Sequence, residues 1–394
     1  MTLALHLPGG GARGAYQVGA LKAVTEICNE SCSPFQVFTG TSAGAINALV
    51  LASHADRFPH GVERLDKFWS AMRCKHIYRV DWPTVLASAV RWIGAAFLGR
   101  LGVPAPASLL NTQPLKRLLE AETQLDRIEQ LISQQLLRGV AVSASGYSTG
   151  RSVSFFQAPP EQKPWGQGRR VSVRDLITTD HLLASTALPL LFPPVRLNNE
   201  FFGDGSLRQT APLSPAIHLG ARKILVITAR DGQQDREPTV PAGMPSAGDI
   251  AGHLLDLVFM DHLDSDLERL HRVNHTLSLV PETQSRQSTL RPVETLVLRP
   301  SADLRALVAT HIGAMPASVK TLLAGIGAWG RDNRLASYLL FDQAYTRALI
   351  DLGYRDTLKS REQVVTFISD RPAGPDAPHR AVSRPRSAAS DTDQ

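Results

Sequence analysis

The feature that most constrains this chain is a glycine-rich segment between an apolar strand and a helix, close to the N-terminus. Residues 3–7 have strand character and are followed by the segment Gly9-Gly-Gly-Ala-Arg-Gly14. An alanine-rich helix is predicted over 15–27. A strand that ends at glycines and restarts as a helix presents free backbone N–H groups at the helix N-terminus. The segment therefore predicts an anion-binding site.

The same arrangement occurs a second time further along the chain. A buried strand over 35–38 leads into the turn Gly40-Thr-Ser-Ala-Gly44, and a buried helix is predicted over 45–53. Gly40 and Gly44, on either side of Ser42, permit a strained nucleophile elbow that exposes the serine hydroxyl. The alternative is that Ser42 only caps the following helix. The neighbouring strand and helix favour the nucleophile.

Two functions stay open for the glycine segment. Gly9, Gly11 and Gly14 match the dinucleotide-binding pattern G-x-G-x-x-G. That pattern also requires an acidic residue at the end of the second strand, which here ends in Phe38-Thr39-Gly40. Consecutive glycine N–H groups would instead bind an oxyanion, where losing one donor costs on the order of 100- to 1000-fold in rate. Arg13 would orient the loop, meet a phosphate headgroup or lie on the surface.

A serine nucleophile also needs a base. An α/β-hydrolase would have several strands before the elbow, whereas here only one strand-helix unit precedes Ser42. The histidines fall mostly in helical segments, where a structural role is usual. Asp204 lies in the turn Gly203-Asp-Gly205, from which its carboxylate could act on Ser42 directly. In isolation, that turn favours a plain Asp-Gly hairpin.

Charge and cysteine content exclude several classes of protein. The net charge of +6 is mild and diffuse, so it suits an anionic membrane or an acidic substrate and does not indicate nucleic-acid binding. Cys28, Cys32 and Cys74 give neither a disulfide framework nor zinc-site spacing. We expect reduced thiols, no metal site and no nucleic-acid partner, and the oligomeric state stays open.

Residues 80–104 are the most apolar part of the chain, interrupted by Arg91 and Arg100. The arginines exclude a membrane span, which needs about 18 apolar residues. Two structures stay open, namely a cationic amphipathic helix in a membrane interface and a helix packed on the core. The N-terminus lacks the features of a signal peptide. We therefore expect a cytoplasmic protein, with peripheral contact to the inner membrane through 80–104 as an open alternative.

The order of predicted elements indicates the fold class. Strands alternate with helices in the first part of the chain, which is typical of an α/β sandwich with a mostly parallel sheet. Further strands are predicted over 223–228, 276–280 and 295–298. We expect a sheet domain over 1–300, a helical C-terminal extension over 301–369 and a disordered tail over 370–394.

Four motifs, in order, resemble those of the patatin-like phospholipases. They are the glycine segment continued to Leu21, the turn Gly40-Thr-Ser-Ala-Gly44, the block Ala184-Ser-Thr-Ala-Leu-Pro189 that leads through Phe192-Pro-Pro194 to Asp204-Gly205, and Ala216-Ile-His-Leu-Gly-Ala221 before a strand. Four ordered motifs are far more specific than one pentapeptide.

The resemblance implies a three-layer α/β/α fold of the FabD/lysophospholipase type and a serine acyl hydrolase that needs no cofactor. Carried over by position, Ser42 is the nucleophile and Asp204 the base of a Ser-Asp dyad. The implied oxyanion loop consists of Gly9, Gly10, Gly11 and Arg13. The implied substrate is a lipid ester such as a phospholipid or lysophospholipid. Open alternatives are a Ser-His-Asp carboxylesterase, a nucleotide-dependent oxidoreductase and a non-catalytic lipid-binding or regulatory module.

Overall fold

The computed structural model describes residues 1–84, 90, 108–230, 247–281, 290–325 and 333–369. The predicted tail over 370–394 lies outside these residues, and so does 80–104 apart from its first five residues and Val90. The predictions of a disordered tail and of a membrane-contacting helix are therefore not addressed by the fold. Within the described residues, no helix combines the length and the apolar character that a membrane span requires.

The strands are β1 (Leu3–Leu7), β2 (Val37–Thr41), β3 (Gly139–Gly146), β4 (Ser152–Gln157), β5 (Gly166–Gln167), β6 (Arg170–Arg174), β7 (Val195–Leu197), β8 (Glu200–Asp204), β9 (Lys223–Ile227) and β10 (Glu294–Leu298). The helices used below are α1 (Ala15–Cys28), α2 (Ala43–Ala52), α3 (Phe58–Ser70), α4 (Cys74–Ile77), α5 (Gln113–Glu122), α6 (Arg127–Ser133), α7 (Thr179–Thr186), α8 (Ser214–His218), α9 (Ala247–Leu279), α10 (Leu304–Ala309), α11 (Ala317–Gly325), α12 (Arg334–Leu339), α13 (Gln343–Lys359) and α14 (Arg361–Ile368).

One mixed sheet organises the described chain. Its main path runs β10-β9-β1-β2-β3-β4-β6-β5, and β8 pairs with both β3 and β7. The five strands from β10 to β3 are parallel to one another, while β3 pairs antiparallel with β4 and with β8. The mostly parallel α/β class predicted from the sequence is confirmed.

Helices cover both faces of the sheet. On one face Leu3, Leu5 and Leu7 of β1 join a large apolar cluster that includes side chains of α1, α2 and α13. On the other face Ala4 joins a second cluster with side chains of α8 and α9. Alternate residues of β1 thus contact opposite layers, as the period of two in a strand requires. The result is three layers, α/β/α.

The C-terminal helices pack directly on the N-terminal half of the chain. A Cβ atom on Gly19 of α1 would lie 1.8 Å from the carbonyl oxygen of Ile350 in α13, and one on Gly353 would lie 2.1 Å from that of Tyr16. Two glycines therefore allow the two helix backbones to approach closely. The helices beyond residue 301 share the core of the sheet, and the domain boundary at residue 300 stays a prediction.

Two of the three late strand predictions are confirmed. Strand β9 corresponds to the prediction over 223–228, and β10 to the one over 295–298. The strand predicted over 276–280 is wrong, because α9 continues through it to Leu279. There the Thr276 hydroxyl donates to the Arg272 carbonyl one helical turn earlier. Among residues 276–280 only Leu277 is buried, which satisfies one helix face without the alternation of a strand.

Candidate active site

Ser42 occupies a sharp turn between β2 and α2. Its backbone has φ 55° and ψ −131°, which a residue with a side chain rarely adopts. A Cβ atom on Gly44 would lie 2.0 Å from the Leu7 carbonyl oxygen, so only glycine fits between the elbow and the end of β1. The N-terminus of α2 also faces Ser42, and its dipole stabilises negative charge on the serine oxygen.

The glycine segment forms a short 3-10 turn over Gly11–Gly14 that leads into α1. The N–H groups of Gly9 and Gly10 donate to none of the described residues, which leaves them free to bind an oxyanion. Gly11 has φ +53° and lines the same cavity as Ser42. The structure thus brings the glycine segment and the elbow serine to the carboxyl edge of β1 and β2.

Asp204 comes to the same edge through the pairing of β3. Thr41, the last residue of β2, pairs with Ser143, and Asp204, the last residue of β8, pairs with the following residue, Ala144. Asp204 therefore takes the sheet position that β2 vacates when the chain turns at Ser42. β2 and β8, which are far apart in sequence, thus bring the Ser42 hydroxyl and the Asp204 carboxylate to the same place.

The Asp204 carboxyl is buried and only partly hydrogen-bonded. Its Oδ1 accepts a 2.9 Å hydrogen bond from the Ser206 N–H. Burial raises its pKa to about 6. The Ser42 hydroxyl and Ser206 act in the opposite direction and offset part of this rise. Its Oδ2 has no hydrogen-bond partner of normal geometry in the described part of the chain. The Ser42 hydroxyl is thus close enough to affect the carboxylate without completing a hydrogen bond, which is common before substrate binds.

A chain of buried hydroxyls and one amide supports the elbow. The Ser42 N–H donates to Ser185 Oγ at 2.8 Å, and the Ser185 hydroxyl donates to the Ser143 carbonyl at 2.7 Å. The Gln209 side chain accepts from Thr41 Oγ1 at 2.6 Å and donates to Ser143 Oγ at 2.8 Å. These supporting residues were not predicted from the sequence, although Ser185 stands in the 184–189 motif that was.

Arg13 is completely buried beneath the glycine segment. Its Nε and Nη2 donate to Ser337 Oγ at 2.9 and 2.6 Å, and its guanidinium stacks 4.2 Å from the centre of the Tyr338 ring. Its backbone N–H donates to the Gly10 carbonyl at 3.1 Å. Of the three roles considered for its side chain, orienting the loop is supported, and a surface position or contact with a headgroup is excluded by burial. Because the Arg13 N–H is already paired, the oxyanion donors that we retain for the proposal below are the N–H groups of Gly9, Gly10 and Gly11.

A narrow apolar cavity opens beside Ser42. Its volume is about 30 Å³. Its walls come from α2, α3, α5 and the segments at 186–192 and 338–341, with Ile46, Phe68, Leu115, Phe192 and Phe341 among the lining side chains. The arrangement offers apolar surface on one side of the hydroxyl and polar groups on the other. Such a site suits an ester that carries an apolar chain.

The buried histidines of the described residues have other partners. Burial lowers the pKa of His6 to about 3, and its Nδ1 pairs with Thr39 Oγ1 at 2.9 Å. His54 pairs with the Val50 carbonyl, and His181 forms part of the N-terminal cap of α7. No histidine is among the residues that line the cavity at Ser42.

The glycine segment is closed to a dinucleotide by its own chain. A Cβ atom on Gly11 would lie 2.4 Å from the Tyr338 carbonyl oxygen, so backbone already occupies the space against this glycine. In the dinucleotide-binding pattern a pyrophosphate approaches the glycines closely.

The described residues include no group of three or more His, Cys, Asp or Glu side chains that could hold a metal ion.

The sequence also matches a family model. The model described as patatin-like phospholipase matches residues 5–217, which is more than half of the chain. The chain therefore belongs to the patatin-like phospholipase family, as its motifs predicted. Its matched part includes both glycine turns, Ser42 and Asp204.

Solved structures give weaker similarity. VipD from Legionella pneumophila is 11% identical, with a TM-score of 0.37 over 92% of this chain and 67% of that one. ExoU of Pseudomonas aeruginosa, solved in a heterodimeric complex with SpcU of the type III secretion system, is 15% identical, with a TM-score of 0.27 over 95% and 73% of the two chains. Scores this low carry no conclusion about function. A search of curated protein sequences found no match.

Proposed function

We propose that the chain is a lipid acyl-ester hydrolase of the phospholipase A or lysophospholipase type, with Ser42 and Asp204 as its catalytic dyad. The pairing of β3 with both β2 and β8 is the observation that carries the proposal, since it sets Asp204 one sheet position beyond Thr41. Membership of the patatin-like phospholipase family supports a lipid ester as the substrate.

In the first half of the reaction Asp204 acts as a general base. It takes the hydroxyl proton of Ser42 while the serine oxygen attacks the ester carbonyl carbon, and the N–H groups of Gly9, Gly10 and Gly11 bind the resulting oxyanion. Collapse of this intermediate breaks the ester C–O bond, and the leaving alcohol takes the proton from Asp204. A pKa of about 6 suits this role, because the carboxylate is ionised at neutral pH and yet more basic than a surface aspartate.

In the second half water releases the acyl group. Asp204 accepts a proton from a water molecule while the water oxygen attacks the carbonyl carbon of the acyl group on Ser42. The second tetrahedral intermediate collapses to the free fatty acid, and the proton returns to the serine oxygen. The chemistry requires the residues of the dyad and the glycine loop, and no metal or organic cofactor takes part.

The apolar cavity is the proposed start of the acyl-chain site. At about 30 Å³ it is far smaller than the roughly 150 Å³ cavity that binds one benzene molecule, so we expect the side chains around it to move apart when an acyl chain enters. Phe192 and Phe341 are among the aromatic side chains that line the cavity. We expect their separation to accompany lipid binding.

Two other functions make different predictions. A Ser-His-Asp carboxylesterase would lose activity on replacement of a single histidine by alanine, whereas the dyad predicts that no such variant is inactive. A non-catalytic lipid-binding module would hold lipid without turnover. The cytoplasmic location and the contact of 80–104 with the inner membrane stay predictions.

The test is hydrolysis of a mixed phospholipid extract, with the products resolved by mass. The proposal predicts free fatty acid together with a lysophospholipid or a fully deacylated headgroup, and neither product from the Ser42→Ala variant. The same variant should keep the folded circular dichroism spectrum of the wild type. Equal hydrolysis of a chromogenic ester by the wild type and by Ser42→Ala would contradict the mechanism.

A further inference from the structure

Three arginines gather at the edge of the sheet opposite the proposed active site. Arg138 and Arg222 immediately precede β3 and β9, and Arg291 lies three residues before β10. These strands run parallel to β2, so their first residues lie at one edge and Ser42, after the last residue of β2, lies at the other. A five-residue strand separates the two edges by about 16 Å.

Two of the arginines bind one short turn. The Arg138 Nε donates to the Leu219 carbonyl at 2.9 Å, and its guanidinium lies across Gly220. The Arg291 Nη2 donates to the Ile217 carbonyl at 2.6 Å. These carbonyls belong to the last turn of α8 and to the residue that follows it. The turn accepts one hydrogen bond from each guanidinium and leaves the remaining N–H groups to other partners.

An acidic residue lies at the same edge of the sheet, Glu294 at the start of β10, and it pairs with Lys223 rather than with an arginine of the cluster. Burial together with the charges of Arg222 and Arg138 lowers the pKa of Arg291. None of the three forms an ion pair with an acidic side chain of the described residues, and the Arg291 Nε is buried there without a hydrogen-bond partner. A fourth arginine, Arg170, is near enough to His218 to lower its pKa, as Arg291 does. Arg170 is left out of the cluster because it also lies near the carboxyl of Asp266.

A cavity of about 410 Å³, lined by both polar and apolar residues, adjoins Arg138. Arg138 lines it together with the side chains of Gln36, Gln135 and Gln162, and Glu161 is the acid on its wall. The cavity therefore offers room for a ligand beside the Arg138 side chain. A bound anion would also offset the mutual repulsion of the three arginines.

We propose that Arg138, Arg222 and Arg291 form a binding site for a phosphate-bearing anion, separate from the proposed catalytic site. Guanidinium groups bind phosphate oxygens through paired, charge-assisted hydrogen bonds, which makes arginine the preferred residue for this ligand. The phosphate comes either from a lipid headgroup at a membrane surface or from a soluble phosphorylated compound. Both sources present the same chemistry to the arginines.

The experiment measures binding of the full chain to two probes. Pyrophosphate is titrated calorimetrically against chloride at equal ionic strength, and phosphatidylcholine vesicles with and without phosphatidylglycerol are used for flotation. The variant is Arg222→Gln, whose side chain is exposed, with Arg138→Gln as a second. Arg347→Gln is the matched control, since it removes an exposed arginine of α13 from another part of the surface.

The proposal predicts that Arg222→Gln weakens binding about ten-fold or more and that Arg347→Gln does not, as expected for loss of a charge-assisted hydrogen bond. If Arg222→Gln weakens binding in the pyrophosphate titration, the ligand is a soluble phosphorylated compound. If it weakens binding only to phosphatidylglycerol vesicles, the ligand is a lipid headgroup. Turnover of a soluble chromogenic ester should be equal in wild type and Arg222→Gln, which separates this site from catalysis. Absence of binding to both probes, or equal binding by wild type and Arg222→Gln, would overturn the proposal.

Discussion

Arg13 in the glycine loop donates two hydrogen bonds to the hydroxyl of Ser337, a residue 324 positions further along the chain. Both side chains are buried, and the Tyr338 ring covers the guanidinium. The loop proposed to bind the oxyanion is therefore held by the C-terminal region. Catalytic geometry and the docking of these helices are physically linked.

Replacing Ser337 by Ala should destabilise the fold and slow turnover. The change removes the Ser337 hydroxyl that accepts two hydrogen bonds from a buried guanidinium, at a cost of about 2 kcal/mol in the free energy of unfolding. Because the same loop holds Gly10 and Gly11, we also expect kcat to fall. Urea unfolding and ester hydrolysis measure the two effects. Ser133→Ala, at an exposed serine, is the control and should change stability by less than about 0.5 kcal/mol.

The pH dependence of turnover should report the Asp204 carboxyl. Burial raises its pKa to about 6. A general base works only when ionised, so kcat/KM for a soluble ester should be constant above about pH 6 and fall roughly ten-fold for each pH unit below it. Circular dichroism at each pH separates loss of the base from loss of fold. A profile without an inflection between about pH 5 and about pH 7 would contradict the assignment.

Asp204→Asn should abolish turnover and increase stability at neutral pH. The folded pKa of about 6 lies above the ordinary value of 3.8, so the folded chain binds this proton more tightly than the unfolded chain. Wild-type stability therefore decreases as pH rises from about 4 to about 6, by up to about 3 kcal/mol, and asparagine escapes this cost. Urea unfolding at about pH 4 and about pH 8 should show the difference between the two proteins only at the higher pH. A variant less stable than wild type at the higher pH would contradict the reasoning.

Gly19→Ala should strongly destabilise the packing of α1 on α13. The new methyl group would overlap the Ile350 carbonyl oxygen, which lies 1.8 Å from the Cβ position. Overpacking of this kind typically costs about 1–3 kcal/mol and here should reach or exceed the upper value, since backbone must move. Gly313→Ala is the control, because nothing lies within 4 Å of its Cβ position. Comparable melting temperatures for the two variants would show that the helices do not pack so closely.

The parts of the site that follow from local sequence were predictable. The strand, turn and helix around Ser42 are set by three apolar residues, two glycines and an alanine-rich run, all within one short stretch. The late strand over 276–280 was wrong for the same reason, since a local apolar pattern there does not reveal the long helix that runs through it.

The parts that depend on distant residues were not predictable from the chain alone. Asp204 was assigned by resemblance, and its neighbour in the sheet became known only from the pairing of β8 with β3. Neither the hydrogen bond from Ser42 to Ser185 nor the burial of Arg13 against Ser337 leaves a local signal. Each depends on where a separate segment packs.

The central claim is that Ser42 is a nucleophile activated by Asp204. The most direct measurement is labelling of the full chain by a fluorophosphonate, with the modified residue located by mass spectrometry. The account predicts one adduct, on Ser42, with labelling at least about 100-fold slower in Asp204→Asn, the low end of what general-base catalysis contributes. An unlabelled Ser42, or labelling at the same rate in Asp204→Asn as in the wild type, would contradict it.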